Sequence, residues 1–454
     1  SWNIEYLTDL VIKKEASIIY RNGCNNIIET FFKNQNIKLY YGDIIERYLR
    51  DGDHIFVNRQ PSLRQESING VEVVIYDKNT KQKGYHIKLP VAHVTPLAGD
   101  FDGDELNAHS DRGPLRIECA TLFNTANILV SAQRNAPIFG AVQDALIAPF
   151  LLTRKDETIT LQLFMDCCMS LKDDTIFERI SNLLKRARKY YKQYIIKKDN
   201  IYMFKSKKLD YKISGKLAIS IIFNPQLNYV KYNGIEENKP DIIIINGVML
   251  SNSAPLEKRA IGVKSGTITH FLYKEFSPII AQTFLTEVQF FSYTYLTSVG
   301  FTISYLDCKL SSYDGINTLL FETEIKCENI YNEAKKNTLI SSFEIERRVN
   351  NELNSVIGNA HKYINMNMLN KDNNFIISST SGAKGTNINC TQICGFIGQQ
   401  NISGKRLPPT LSNNKRCFPH FKVDGSDTTP MSRGFISSSY TEGMNPVEFF
   451  GHAT

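Results

Sequence analysis

Asp100, Asp102 and Asp104 occupy alternate positions of the run Ala98-Gly99-Asp100-Phe101-Asp102-Gly103-Asp104. Along a straight strand, carboxylates two residues apart would be about 7 Å from each other at ~3.4 Å rise per residue. That is too far for all three to touch one hard cation, since Mg²⁺ takes oxygen ligands at roughly 2.0–2.1 Å in near-octahedral geometry. The run is therefore predicted to curl into a loop around a metal. Gly103 permits the curl, because glycine accepts positive φ. Two other readings stay open. A solvated acidic turn is one. A calcium loop of the EF-hand kind is the other, but it wants glycine at its sixth position and a bidentate glutamate at its twelfth. Counted from Asp100 those positions hold Glu105 and Asp111, with the glycine fourth.

Around this run the chain has 454 residues, a length that predicts two to four domains. Apolar residues make up 42%, enough for real cores, and 53 basic against 46 acidic residues give a net charge of +7. That excess is compatible with a nucleic-acid channel without selecting one. Cysteines stand at positions 24, 119, 167, 168, 308, 327, 390, 394 and 417, with no C-x₂-C pair. Cys390 and Cys394 are expected as buried thiols on one helix face, and the irregular pattern fits a reducing intracellular compartment. No apolar run of membrane-spanning length appears, so no membrane is expected among the partners. Ser1 and Thr454 look like cut ends, which suggests a segment of a longer polypeptide.

The pattern predicts mixed helix over residues 1–35 and short strands from 37 to 109, with Ile55–Val57, Val71–Tyr76 and Tyr85–Leu89 as β-rich runs. Helices are predicted over 116–129, 137–152 and most of 157–190. The last ends in Lys185-Arg186-Ala187-Arg188-Lys189, which reads as a solvated helix face or as a nucleic-acid contact. Residues 200–250 look strand-like, with Ile242–Ile245 a buried strand. Two long helices follow between Ile316 and Leu369, folded back on each other near Asn337-Thr338. Ile345, Val349, Val356 and Ala360 give the second an apolar stripe. Residues 378–410 are glycine-rich and basic. Pro446 sits where a helix tolerates proline, in its first turn.

Asp100-Phe101-Asp102-Gly103-Asp104-Glu105-Leu106-Asn107 resembles the signature of the largest subunit of multisubunit DNA-directed RNA polymerases. Further segments resemble the same family, in the same order. Tyr41-Gly42-Asp43 and Glu46-Arg47 lead to Asn58-Arg59-Gln60-Pro61-Ser62-Leu63. Pro137 and Gly140 to Leu146 follow the signature, and then come Ser381 to Asn387 and Gly398 to Arg406. Pro419-His420-Phe421, Ser432 to Phe435 and Pro446 to Ala453 close the series. The G-Q-Q-x-x-x-G-K-R and P-H-F elements resemble the eukaryotic and large-DNA-virus form, and the likeness covers nearly the whole chain.

The resemblance implies an α+β, multidomain fold. A double-psi β-barrel active-site domain (1–110, the barrel about 37–109) would be followed by a mixed pore domain (111–298). A long helical hairpin, the funnel (299–370), a pore and cleft connector (371–445) and the start of the bridge helix (446–454) would complete it. It implies joining of ribonucleoside triphosphates on a DNA template by two-metal nucleotidyl transfer. Asp100, Asp102 and Asp104 would be the catalytic metal ligands for one Mg²⁺, and a second would arrive with the nucleotide. Arg59 would reach the sugar hydroxyls of the nucleotide through its fork of donors, or pair only with the aspartate loop. Gln60 and Pro61 would shape that loop, and Lys384, Lys405 and Arg406 would sit at the pore rim near substrate. Implied partners are the second-largest subunit, smaller subunits, DNA template, RNA product and nucleoside triphosphates. The implied setting is intracellular, either a viral factory or virion in the cytoplasm, or a nucleus.

Two positions depart from the family pattern. Ala98 stands where the family usually has asparagine, and its side chain cannot hydrogen-bond a 2′-hydroxyl, so sugar discrimination would fall to Arg59 and partner chains. Arg64 follows Pro-Ser-Leu, where histidine is common. Alternatives are a single-chain RNA-dependent RNA polymerase of the double-barrel kind, which would need a second barrel, and a non-catalytic assembly subunit.

Overall fold

The β-rich runs and the long amphipathic helices fall in different stretches of the chain, and they fold as two units, Ser1–Phe139 and Gly140–Thr454. A computed structural model describes residues 3–21, 26–29, 38–76, 86–110, 114–154, 157–194, 212–232, 240–336, 339–367 and 372–453.

The first unit opens with helix α1 (Ile4–Ile12), which buries Leu10. Strands β1 (Ala16–Arg21), β2 (Asn26–Glu29) and β3 (Ile44–Arg47) form an antiparallel sheet in the order β2-β1-β3. The helix expected over 1–35 thus stops at Ile12. Beyond it the β-branched residues Ile18 and Ile19 favour a pleated strand, and Ile19 is fully buried. Strands β4 (His54–Asn58), β5 (Ile68–Glu72) and β6 (Asn107–Ser110) make a second antiparallel sheet in the order β5-β4-β6. In β4, Ile55 and Val57 are buried while their neighbours are half-buried, the two-residue period of a strand with one covered face.

The strand expected over 71–76 ends at Glu72, and residues 86–89 form no strand; Tyr85 lies outside the described residues. Helix α2 (Pro114–Thr121) ends well before Leu129 and leads to a small hairpin of β7 (Val130–Ser131) and β8 (Ala136–Pro137). β5 is pressed onto the C-terminal end of α2. A Cβ on Gly70 would lie 2.8 Å from the Cys119 carbonyl oxygen and 2.9 Å from that of Phe123, so only glycine fits there. Among the described residues the sheets stay open and no closed barrel forms.

One carboxylate ties this unit together. Asp53 is buried and takes two bonds from Arg47, both at 2.7 Å, and one from Arg116 on α2 at 2.7 Å. The Arg47 hydrogen bonds hold its pKa down to about 2, against an ordinary value of 3.8.

In the second unit, α3 (Asp144–Thr153) is buried from Ala145 to Thr153, as a helix apolar on all sides must be. It starts later than the helix expected over 137–152. Strand β9 (Thr158–Thr160), α4 (Leu161–Met169) and α5 (Ile176–Tyr194) follow. β10 (Lys212–Ser214) pairs with β9 and runs into α6 (Gly215–Ile219). β11 (Tyr229–Tyr232), β12 (Pro240–Ile245) and β13 (Val248–Met249) form an antiparallel sheet in which Ile242 and Ile244 are fully buried, as the isoleucine run predicts. Then come α7 (Lys258–Ile261), α8 (Ile268–Glu275) and α9 (Pro278–Val299). Arg179 on α5 clamps Glu287 on α9 with bonds of 2.6 and 2.9 Å. On α5, Ala187 is buried while Lys185, Arg188 and Lys189 are exposed, the pattern of a solvated basic face.

The two long helices are α10 (Asp314–Lys336) and α11 (Ser342–Asn367). Gly315 meets Tyr363, Lys326 pairs with Glu352 at 2.9 Å, and the Tyr331 hydroxyl donates to Glu346 at 2.9 Å. Positions rise on one helix as they fall on the other, so the pair is antiparallel. Val349, Leu353, Val356 and Ala360 are buried against Ile316 and Cys327, with Ile345 half-buried at the margin. The expected turn at Asn337-Thr338 lies outside the described residues. Helices α12 (Asn374–Ser381) and α13 (Asn387–Cys394) pack nearby, and both Cys390 and Cys394 are buried thiols. Strands β14 (Gly398–Gln399), β15 (Asn401–Ile402), β16 (Lys405–Arg406) and β17 (Phe435–Ile436) lead to α14 (Pro446–Ala453), which begins at Pro446 as expected. Glu448 is buried at its start and accepts from the amides of Ser437, Ser438 and Asn445 and the hydroxyls of Ser437 and Ser438. No helix among the described residues is long and apolar enough to cross a membrane.

The Asp53 cluster gives a signed pH dependence. Its folded pKa lies below its unfolded one, so the stabilisation is present above the ordinary carboxylate range and is lost as pH falls from about 4 towards about 2. Arg47→Met should speed hydrogen exchange at the β3 and β4 amides near neutral pH. The gap between parent and variant should close on acidification through that window. A gap that stays constant down to pH 2 would contradict the assignment.

Candidate metal centre

The register of the second sheet creates the site. Asn58, the last residue of β4, pairs with Asn107, the first of β6. The chain leaving β4 and the chain entering β6 therefore run side by side. Asn58 is followed at once by Arg59, and Asn107 is preceded by Asp104 at a distance of three residues, so the two side chains meet. Beyond Arg59 the chain turns through a cis Gln60–Pro61 bond, and the Ser62 hydroxyl donates to the Asn58 side chain at 2.7 Å. Gln60 and Pro61 are exposed beside Arg59.

On the other side, Leu97 is buried and anchors the loop, and the Gly99 amide donates to Val94 at 2.9 Å. Ala98 has φ of +50° and Gly103 φ of +123°, so the segment coils and forms no strand, as the spacing of the aspartates requires. Arg59 Nε donates to Asp104 Oδ2 at 2.8 Å and Nη2 to Oδ1 at 3.0 Å. The Asp100 amide donates to Asp104 Oδ2 at 2.8 Å, and the Asp102 amide to Asp100 Oδ1 at 3.4 Å. Asp100, Asp102 and Asp104 each offer a carboxylate oxygen within 4.8 Å of the others, and all three residues are exposed.

The electrostatics divide the triad. Hydrogen bonding from Arg59 and the Asp100 amide holds the Asp104 carboxyl below its ordinary range. Hydrogen bonding to Asp100 and the negative charges of Asp100 and Asp104 push Asp102 up. The salt bridge raises Arg59 in turn. Three converging carboxylates share one cationic neighbour, which lies on Asp104 alone, and they leave oxygens facing solvent. This donor set suits a hard divalent cation such as Mg²⁺, which takes carboxylate and water together.

The other expected site residues belong to the second unit. Lys384 is exposed just after α12, with its carbonyl accepting from Ser378 at 3.0 Å. Lys405 is exposed on β16, its ammonium 5.5 Å from the centre of the Phe343 ring. Arg406 differs from the expectation of a rim contact. It is only 3% exposed, and its guanidinium donates to Gln399 at 3.2 Å, Tyr331 at 3.0 Å, Glu346 at 3.3 Å and the Pro430 carbonyl at 3.1 Å. Arg433 also pairs with Glu346, at 2.7 Å. Glu346 is the central acceptor of this cluster. Nothing local in the sequence marks it, because its partners lie 60 and more residues away.

The family models for RNA polymerase Rpb1 domains 2, 3 and 4 match residues 1–125, 128–308 and 323–436. A DNA-directed RNA polymerase II subunit RPB1 homolog of Invertebrate iridescent virus 6 is 30% identical over 97% of this chain. The RPB1-B and RPB1-A subunits of RNA polymerase II from Trypanosoma brucei brucei are each 28% identical over 99% of it. The chain spans 42% of the viral relative and 24% of each trypanosome subunit.

Arg406 gives a test that separates packing from substrate contact. A lysine cannot reproduce a forked set of four acceptors, so Arg406→Lys should lower stability by roughly 2–4 kcal/mol, the scale for disrupting a buried charged network. Thermal unfolding of the assembled protein should show the shift with the nucleotide KM unchanged. A changed KM without loss of stability would restore the rim role.

Proposed function

The chain belongs to the Rpb1 family, the largest and catalytic subunits of DNA-directed RNA polymerases, and on that premise we propose that it carries the catalytic centre of such an enzyme. It would join ribonucleoside triphosphates on a DNA template within a multisubunit complex. The observation that carries this reading is the convergence of Asp100, Asp102 and Asp104 on one loop, with oxygens within 4.8 Å of one another.

In this proposal the three carboxylates hold one Mg²⁺ and act as ligands, not as general acids or bases. When bound, that ion and a second brought by the triphosphate lower the pKa of the attacking 3′-hydroxyl and stabilise the leaving pyrophosphate. The chain's own residues set the geometry. Gly103 and Ala98 bend the loop so that the carboxylates converge, the Asp100 amide fixes Asp104, and Arg59 is within reach of the same space with a forked donor set for sugar hydroxyls. Gln60 and Pro61 shape the approach of Arg59. Lys384 and Lys405, both exposed, are candidates for contact with the triphosphate, whereas Arg406 supports the hairpin that carries Lys405. The methyl of Ala98 offers no hydrogen bond, so discrimination between ribose and deoxyribose is assigned to Arg59 and partner chains.

Residues 1–110 are assigned to the active-site region, with about 37–109 as part of a double-psi β-barrel. The pore is placed at 111–298, the funnel hairpin at 299–370, the connector at 371–445 and the bridge-helix start at 446–454. The second-largest subunit, smaller subunits, DNA, RNA and nucleoside triphosphates are the proposed partners. The viral relative favours a cytoplasmic viral factory or virion, and the trypanosome relatives a nucleus.

Templated ribonucleotide incorporation by the intact complex, with Mg²⁺, on DNA and separately on RNA, tests the reading. Synthesis on DNA should fall to background in Asp102→Asn while the complex still assembles. Synthesis on RNA alone would favour an RNA-dependent enzyme, and synthesis indifferent to Asp102 would make the loop structural.

A further inference from the structure

Arg59 covers only one of the three aspartates, and it covers that one completely. Its Nε and Nη2 engage Oδ2 and Oδ1 of Asp104 in parallel. The Asp100 amide also donates to Oδ2, at 2.8 Å, so that oxygen already accepts two bonds, the number its lone pairs allow. The fork is seated closely over Gly99, where a Cβ would lie 3.4 Å from Asp104 Oδ2 and 3.6 Å from Arg59 Cδ. No ion pair to Asp100 or Asp102 appears among the described residues.

We propose that Arg59 is a latch on the aspartate loop that a divalent cation displaces: the guanidinium occupies Asp104 while the loop is ion-free, and cation binding to the triad loosens the pair and frees Arg59 for the substrate. The inference rests on the metal reading above and adds an order to it, with the ion preceding the arginine's engagement of nucleotide. Two physical points support it. Oδ2 has no lone pair left for a metal until one of its two donors withdraws, and the Asp100 amide is fixed in the backbone while Arg59 is a side chain. A guanidinium and a divalent ion sharing one carboxylate also repel, and at an effective dielectric of about 20 that repulsion survives at these short distances. Coupling of this kind is reciprocal, so Arg59 must weaken ion binding as much as the ion weakens the Arg59–Asp104 pair.

The test uses the assembled complex carrying the full chain. Mn²⁺ binding is followed by electron paramagnetic resonance, with Asp102→Asn defining binding outside the triad. Arg59→Gln removes the charge and should bind Mn²⁺ on the order of tenfold more tightly than the parent, while its kcat/KM for nucleotide falls. Arg59→Lys keeps the charge, and its Mn²⁺ affinity should stay within about threefold of the parent. A purely structural arginine would weaken both ion binding and turnover when removed. On the unaltered complex, modification of Arg59 by phenylglyoxal, read by peptide mass spectrometry, should speed up on saturation with Mn²⁺. Equal or weaker Mn²⁺ binding in Arg59→Gln, or an Arg59 that Mn²⁺ leaves unchanged or protects, would overturn the latch. Should Arg59→Gln not assemble, the phenylglyoxal result decides alone. Parent complex without any Asp102-dependent Mn²⁺ binding would instead overturn the metal reading itself.

Discussion

The candidate centre depends on the backbone pairing of Asn58 with Asn107. A register slip of one residue would turn Ile55 and Val57 out of the core and carry Arg59 away from Asp104. The slip is opposed on both faces of the sheet. β5 is locked to α2 through Gly70, where no side chain fits, and Asp53 is held by two arginines from different elements. Rigidity in the sheet is thus what allows an exposed, acidic loop to keep three like charges together.

The two units handle charge in opposite ways. The aspartate loop keeps its carboxylates at the surface, where an ion and a substrate can reach them, and offsets one of three with Arg59. The cluster around Glu346 buries its charge: Arg406, Arg433, Tyr331 and Gln399 converge on or beside one carboxylate and join α10, α11, β14 and β16. A buried arginine missing any of these partners would be a heavy liability, so the cluster fixes how the hairpin carrying Lys405 meets the helix pair.

Features with a short sequence period or a local motif were legible before any coordinates. The aspartate spacing demanded a loop, the isoleucine run at 242–245 demanded a buried strand, and the stripe through Val349, Val356 and Ala360 demanded a packed helix. Cys390 and Cys394, four residues apart, were readable as core thiols. Longer-range effects were not. Ile18 and Ile19 look equally at home in a helix until strand β3 supplies their partner. The strand expected past Glu72 fails because its continuation has no neighbour to pair with, while Asn107–Ser110, polar and exposed, becomes a strand because β4 lies beside it. Arg406 sits in a basic, glycine-rich segment that reads as surface, and only its distant partners make it buried. Within the site, Arg59 was named from its motif, but its two-point grip on Asp104 arises from sheet register, which no local pattern encodes.

The central claim is that a divalent ion sits among Asp100, Asp102 and Asp104. Fe²⁺ substituted into the assembled complex generates hydroxyl radicals that cut the chain beside the metal. The account predicts cuts concentrated within residues 98–106 and near Arg59, lost in Asp102→Asn and competed away by Mg²⁺. Cuts that fall elsewhere in the chain, or that persist without the Asp102 carboxylate, would contradict it.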